Sequence, residues 1–252
     1  AVFVASCAIG TPGFASVEKV AENFFSDVNF NNYGAVEKVS GFENFYILQY
    51  RTETDTQKAY ESFLTDTNIL SVDIDTVISV NSVETTSTTT ETTTYTKEDF
   101  YNCWSLNATG IDKVLEHYSN KQFSEIIVGV IDTGVNYEHE LFEGRLIRTK
   151  FNSSSEDAPD DEFDRHGHGT AVTSCIVKTT PNNVKIAVYR VADSKGEGSI
   201  SNLYAAILQA IDKGIKVLNL SISFANAGES EIQLAILNHA KTNKSYRKLG
   251  GV

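Results

Sequence analysis

The 252 residues contain no methionine, only three cysteines, and 21 lysine and arginine residues against 33 aspartates and glutamates. A chain without methionine is not expected to begin at a translational start, so residue 1 is read as lying within a longer precursor. The cysteines, Cys7, Cys103 and Cys175, have no C-x-x-C spacing, which leaves no zinc knuckle and no disulfide framework and makes buried thiols the expectation. A net charge of −12 leaves no basic surface for a phosphate backbone, so nucleic acid is excluded as a partner. No apolar run reaches the roughly 18–20 residues that a membrane span needs. What is present is 41% hydrophobic residues, enough for one large core or two smaller ones.

The first fifteen residues, AVFVASCAIGTPGFA, are uncharged and mostly apolar and end in small-large-small Gly13-Phe14-Ala15. They read as the remnant of an export signal. A core strand and a lipid anchor on Cys7 are the alternatives, and the expected location is outside the cell or at its surface. Residues 84–96, ETTSTTTETTTYT, cannot build a core and read as part of a linker over 84–99. Before it, residues 16–83 form a small α+β unit. A strand is expected at Phe45–Tyr50, an amphipathic helix at Asp55–Thr65 with Ala59, Tyr60, Phe63 and Leu64 on one face, and one or two strands within Ile69–Val80.

After the linker, over 100–252, strands alternate with helices, which predicts an α/β fold with a parallel sheet. The strands are expected at 125–131, 184–191 and 215–222. One helix begins near Gly169, and another runs from about Ser199 to Lys213, capped by Ser199 or Ser201 and stopped by Gly214. Ser230 and Gln233 form a capping box for a last helix carrying Ile232, Ala235, Ile236 and Ala240.

Two motifs carry chemistry. In Glu125-Ile126-Ile127-Val128-Gly129-Val130-Ile131-Asp132-Thr133-Gly134 an acid stands at the carboxyl end of an apolar strand, the edge where open parallel sheets place their sites. His168-Gly169-Thr170 opens a helix, so that Asp132 can accept from its Nδ1–H and leave Nε2 as a general base. The stretch V-G-V-I-D-T-G-V followed by G-H-G-T-x-V resembles the catalytic Asp and His motifs of subtilisin-like serine proteases, with His168 in the catalytic place and His166 a polar residue of the preceding loop.

The resemblance implies a peptide-hydrolysing enzyme with an Asp-His-Ser triad, made as a zymogen and acting on polypeptides. No cofactor is needed for the chemistry, no metal enters the catalytic site, and structural calcium is possible. Asp193-Ser194-Lys195-Gly196-Glu197-Gly198-Ser199 resembles the family's segment beside which an extended substrate lies, and Val217–Ser223 the strand on its other side. Gly196, Gly198, Ser221 and Ser223 are therefore the implied substrate-binding residues, with Ser223 where the family has glycine. Residues 17–83 resemble the family's inhibitory propeptide, an intramolecular partner that covers the groove until cleaved, and Asn102-Cys103-Trp104-Ser105-Leu106 resembles the opening of a mature domain.

The family pattern continues with an oxyanion-hole Asn and a G-T-S-x-A-x-P nucleophile segment. Here the only Gly-Thr pairs are Gly10-Thr11 and Gly169-Thr170. The catalytic domain is thus expected to be incomplete, and these residues alone to be inactive. Two rivals remain. Asp164, His166 and His168 have a D-x-H-x-H spacing suited to a metal hydrolase, and a degenerate protease could act as an inhibitor or binding module.

Overall fold

A computed structural model of the chain describes residues 3–8, 11–18, 35–38, 45–50, 52–65, 71–80, 97–154 and 156–224. The Thr-rich stretch and the helix expected from Ser230 lie outside them. In chain order the elements are strands β1 (Phe3–Ala8), β2 (Thr11–Glu18), β3 (Ala35–Lys38) and β4 (Phe45–Gln49), helix α1 (Glu53–Leu64), and strands β5 (Ser71–Asp75) and β6 (Val77–Ser79). Short helices α2 (Lys97–Tyr101), α3 (Trp104–Thr109) and α4 (Ile111–Tyr118) follow, then β7 (Ile126–Asp132), β8 (Leu146–Asn152), α5 (His168–Thr179) and β9 (Val184–Arg190). The last are β10 (Glu197–Ser199), α6 (Ile200–Asp212), β11 (Val217–Leu220) and β12 (Ser223–Phe224).

These elements group into two compact units that do not follow chain order. One comprises Ala1–Ser79, Glu197–Lys216 and Ile222–Val252, the other Val80–Gly196 and Val217–Ser221.

In the first unit β1 to β5 form a sheet in the order β3-β4-β1-β2-β5, with β1 parallel to β4 and the other pairs antiparallel. Within the apolar run expected as an export signal, residues 3–8 and 11–15 lie in strands, and the expected boundary after residue 15 falls inside β2. An apolar run suits a sheet strand and a signal's hydrophobic stretch alike; here β1 and β2 pair with β4 and β5. Thr52 caps α1 by accepting from Asp55 N–H at 3.1 Å. Its inward face runs through buried Thr56 and half-buried Ala59, Tyr60 and Phe63, while Leu64, one position past that stripe, is exposed.

The remaining elements of this unit form a second sheet, β10-β6-β12, antiparallel throughout. Ser199 caps α6, accepting from Asn202 N–H at 3.2 Å, and Gly214 turns the chain away at φ 74°. Leu203, Tyr204, Leu208 and Ile211 bury the helix's apolar face, and Ile207 is half-buried beside it.

The second unit holds a four-stranded parallel sheet in the order β11-β7-β9-β8. The three strands expected from sequence are its first three. The fourth, β8, was not anticipated, because its sequence LIRTKFN interleaves charge with apolar residues, a pattern that suits the sheet edge it occupies. Val130, Val135, Phe142, Val177, Ile186 and Val188 form the core between sheet and α5. Each such aliphatic contributes about 1.5–3 kcal/mol by burial. Helix α5 faces inward through Gly169, Thr173 and Val177, so Cys175 is exposed rather than buried, and Cys103 is half-buried. Among the described residues no helix is long and apolar enough to cross a membrane.

One buried charge stands out in the first unit. Asp75 is 2% exposed, and its Oδ1 accepts from Ser201 N–H at 3.0 Å in the first turn of α6. Burial pushes its carboxyl up to about 7, against hydrogen bonds from Ser201, Ile200 and Ser199 that favour the anion. A carboxyl raised in the folded state favours the protonated fold, so its contribution is complete below about pH 4 and is lost as pH rises towards 7. The melting temperature is therefore expected to fall between pH 5 and pH 7, and Asp75→Asn to flatten that slope, as measured by thermal unfolding across the range.

Candidate active site

The carboxyl end of β7 delivers Asp132 into a fully buried position, and the chain must turn at once to leave the sheet. Gly134 makes the turn at φ 105°, where a Cβ would meet Glu162 O at 2.4 Å. Only glycine fits there. The start of α5 is set down on this turn just as closely: a Cβ on Gly169 would lie 2.2 Å from Gly134 O and 3.2 Å from Asp132 Oδ1. The glycines of D-T-G and H-G-T are thus two halves of one backbone contact.

That contact brings His168 Nδ1 to 2.7 Å from Asp132 Oδ1, which also accepts from Thr133 N–H at 2.7 Å. With the carboxylate accepting a hydrogen bond from Nδ1–H, the tautomer that leaves Nε2 unprotonated is favoured. Burial raises the Asp132 carboxyl, with the His168 and Thr133 hydrogen bonds opposing it.

A polar relay that sequence reading missed holds the two motifs together. Gly169 N–H donates to Thr133 Oγ1 at 2.9 Å, and that hydroxyl donates onward to Asp164 Oδ1 at 2.9 Å. Asp164 Oδ1 also accepts from the backbone N–H groups of His166 and Gly167, and its Oδ2 from the N–H and hydroxyl of Thr170. The sequence signal was present in D-x-H-x-H, read as a possible ligand set. In the structure both Asp164 oxygens are engaged by protein donors, and His168 turns its Nδ1 to Asp132. His166, expected as an exposed loop residue, is instead half-buried, with its Nδ1 buried and unpartnered. Its ring centroid is 6.3 Å from that of His168.

The implied substrate-binding residues divide between the units. In the first, Gly198 of β10 is paired with Ile78, and Ser223 of β12 with Ser79, so β6 of this same chain lies between the two strands as a third. In the second, Gly196, at φ 79°, accepts from Val80 N–H at 2.9 Å, and Ser221 Oγ accepts from the Asn219 side-chain amide at 2.9 Å.

Residues 123–247 match the family model described as "Subtilase family". The chain is 34% identical over 104 residues to the thermophilic serine proteinase of Bacillus sp. (strain AK1), covering 38% of this chain and 25% of that one. It is 28% identical over 186 residues to the alkaline serine protease ver112 of Corniculantispora psalliotae, covering 72% and 44%. A solved structure of the epidermin leader peptide processing serine protease from Staphylococcus aureus superposes with TM-score 0.61 at 20% identity, covering 91% of this chain and 57% of that one, which is a likeness of fold. Residues 123–247 belong to the subtilase family of serine proteases, and the chain spans less than half the length of either curated relative named here.

Gly169→Ala is expected to push α5 off the 132–134 turn. The overpacking should cost about 1–3 kcal/mol in denaturant unfolding. The deshielded His168 Nδ1 proton resonance should also be lost in NMR, whereas Gly144→Ala, at φ 68° with open space around it, costs backbone strain alone and leaves that resonance in place.

Proposed function

We propose that this chain carries the general base and its orienting acid of a serine endopeptidase made in latent form. The observation that carries the reading is the 2.7 Å contact between His168 Nδ1 and a fully buried Asp132. In such a pair Nε2 removes the proton from a serine hydroxyl as it attacks the peptide carbonyl, Asp132 stabilises the imidazolium, and the proton passes on to the leaving amine. Neither the nucleophile segment nor an oxyanion-hole Asn occurs in the 252 residues, so the reading assigns both to residues outside them.

Latency is supported by β6, which pairs through its backbone with β10 and β12 as an added strand of a peptide would. In this reading residues 16–83 are the inhibitory propeptide, 84–99 a linker to be cut or removed, and polypeptides the substrates. Gly196, Gly198, Ser221 and Ser223 flank the bound chain. Export is part of the proposal, supported by likeness to the cell wall-associated protease of Bacillus subtilis (30% identical over 113 residues, 12% of that protein).

The test pairs these 252 residues with a chain extended to carry a G-T-S-x-A-x-P segment, both assayed on an unstructured protein with and without a serine-directed covalent inhibitor. The extended chain is expected to be active and inhibitor-sensitive, to acquire a new amino terminus downstream of Val80, and to lose about 10⁴ in kcat on Asp132→Asn. The 252 residues are expected to be inactive. Inhibitor-sensitive turnover by them, abolished by His168→Ala, would put the nucleophile inside this sequence. Inhibition of a related protease by residues 16–83 together with an inert extended chain would favour the inhibitor reading.

A further inference from the structure

Asp164 anchors the start of α5, but it stands on a loop, and a loop holds a helix only as firmly as it is itself held. Two residues before it, the Glu162 side chain is fully buried. Its Oε1 accepts from the Thr149 and Lys150 N–H groups, each at 2.6 Å, and lies 2.5 Å from the Thr149 hydroxyl. Its Oε2 faces Arg148 Nη1 at 3.6 Å, but that arginine is 58% exposed, so the ion pair adds little. The carboxylate is held by donors on one oxygen, and all of them belong to β8.

The edge strand is bent to supply them. The register of β8 on β9 shifts between Arg148 and Asn152, and within the shift Lys150 has φ 56°, a left-handed conformation unusual for lysine. Two successive N–H groups thereby converge on one anion, as they do in the anion-binding concavities of turns. Backbone strain of this kind persists only where the surroundings over-determine it.

The main chain of Glu162 is engaged on the opposite side. Its carbonyl oxygen accepts from Val135 N–H at 3.0 Å, and Asp164 N–H donates to Val135 O at 3.3 Å, so the loop is tied to the chain just past the Asp132 turn. Strand β8 pairs with β9, and β9 with β7, which ends in Asp132. The acid is thus placed directly by the sheet, and the loop that places the base is returned to the same sheet through Glu162. An apolar side chain of equal volume would fill the position without burying a charge. It would not fix a direction, because only the carboxylate takes the converging donors of β8.

We propose that Glu162 is a positioning residue for the His168–Asp132 pair: by locking residues 162–164 to the bent edge of the sheet, it sets the place from which Asp164 holds the start of α5. This rests on the protease reading for its catalytic meaning, but its first test does not require hydrolysis.

Glu162→Met keeps the volume and removes the acceptor, whereas Glu162→Gln keeps an acceptor for the β8 donors. Both are made in the full 252-residue chain, with the amides of β7 and β9 as the control for folding. Glu162→Met is expected to lose the deshielded His168 Nδ1 proton resonance while those amides stay protected. Exchange of the Gly169 amide, which donates to Thr133, should become about tenfold faster or more. Glu162→Gln is expected to restore the resonance and most of the protection, a rescue that a residue serving only to fill space would not show. Should Glu162→Met unprotect β7 and β9, Thr149→Val removes one donor without touching the loop and is expected to give the same two changes in weaker form. A resonance and a Gly169 exchange rate unaltered in whichever of these variants keeps the sheet would overturn the proposal, as would a glutamine chain no better than the methionine one. In a chain extended with the nucleophile segment, Glu162→Met is expected to lower kcat about 10–100-fold with KM little changed; a rise in KM alone would also overturn it. An extended chain that never hydrolyses peptides, with the resonance pattern as described, would sink the protease reading and leave the positioning role standing.

Discussion

The site depends on a steric fact: two backbones approach where neither residue can carry a Cβ. Gly134 and Gly169 meet at a separation that any side chain would abolish, and the hydrogen bond between His168 and Asp132 follows from it. Asp132 is placed by a strand and His168 by the first turn of a helix 36 residues later, so their relative position is only as accurate as the packing of one element on the other. Placing reactive groups on rigid elements in close van der Waals contact is how a short bond survives thermal motion. The Thr133–Asp164 relay adds direction to that contact, tying the helix start, the turn and the preceding loop to one carboxylate.

How much of this was legible in the sequence differs by feature. The parallel strands were readable because β7 and β9, buried along most of their length, carry the near-continuous apolar runs Ile126–Ile131 and Ile186–Tyr189. The edge strand β8 was not, since Arg148, Thr149 and Lys150 break the apolar pattern where solvent permits it. The residues 132 and 168 were legible through their glycines, which mark close approach in any context. The burial of Asp75 and the half-burial of His166 were not: Asp75 is enclosed by Ser201, 126 positions later, and His166 lies beside Gly196, which belongs to another segment of the chain.

The first fifteen residues show the converse limit. Composition alone describes an apolar run, and a strand, an export signal and a lipid-anchored start use the same residues. The strands among them pair with β4 and β5, at residues 45–49 and 71–75, which the run itself does not name. Here the missing information was not chemical but topological.

The sheet β10-β6-β12 also constrains the order of events on the ribosome. Its central strand is made first, yet both neighbours are encoded about 120 and 146 residues later. At about 5–20 residues per second of synthesis, Val77–Ser79 would wait roughly 6–24 s before its first partner strand exists. During that interval an apolar strand has both edges open, and each loop closed afterwards is long. The alternation of the strand, with Ser79 outward between Ile78 and Val80, limits how well a second nascent chain can pack against both of its faces, so the sequence itself tempers the exposure that precedes pairing.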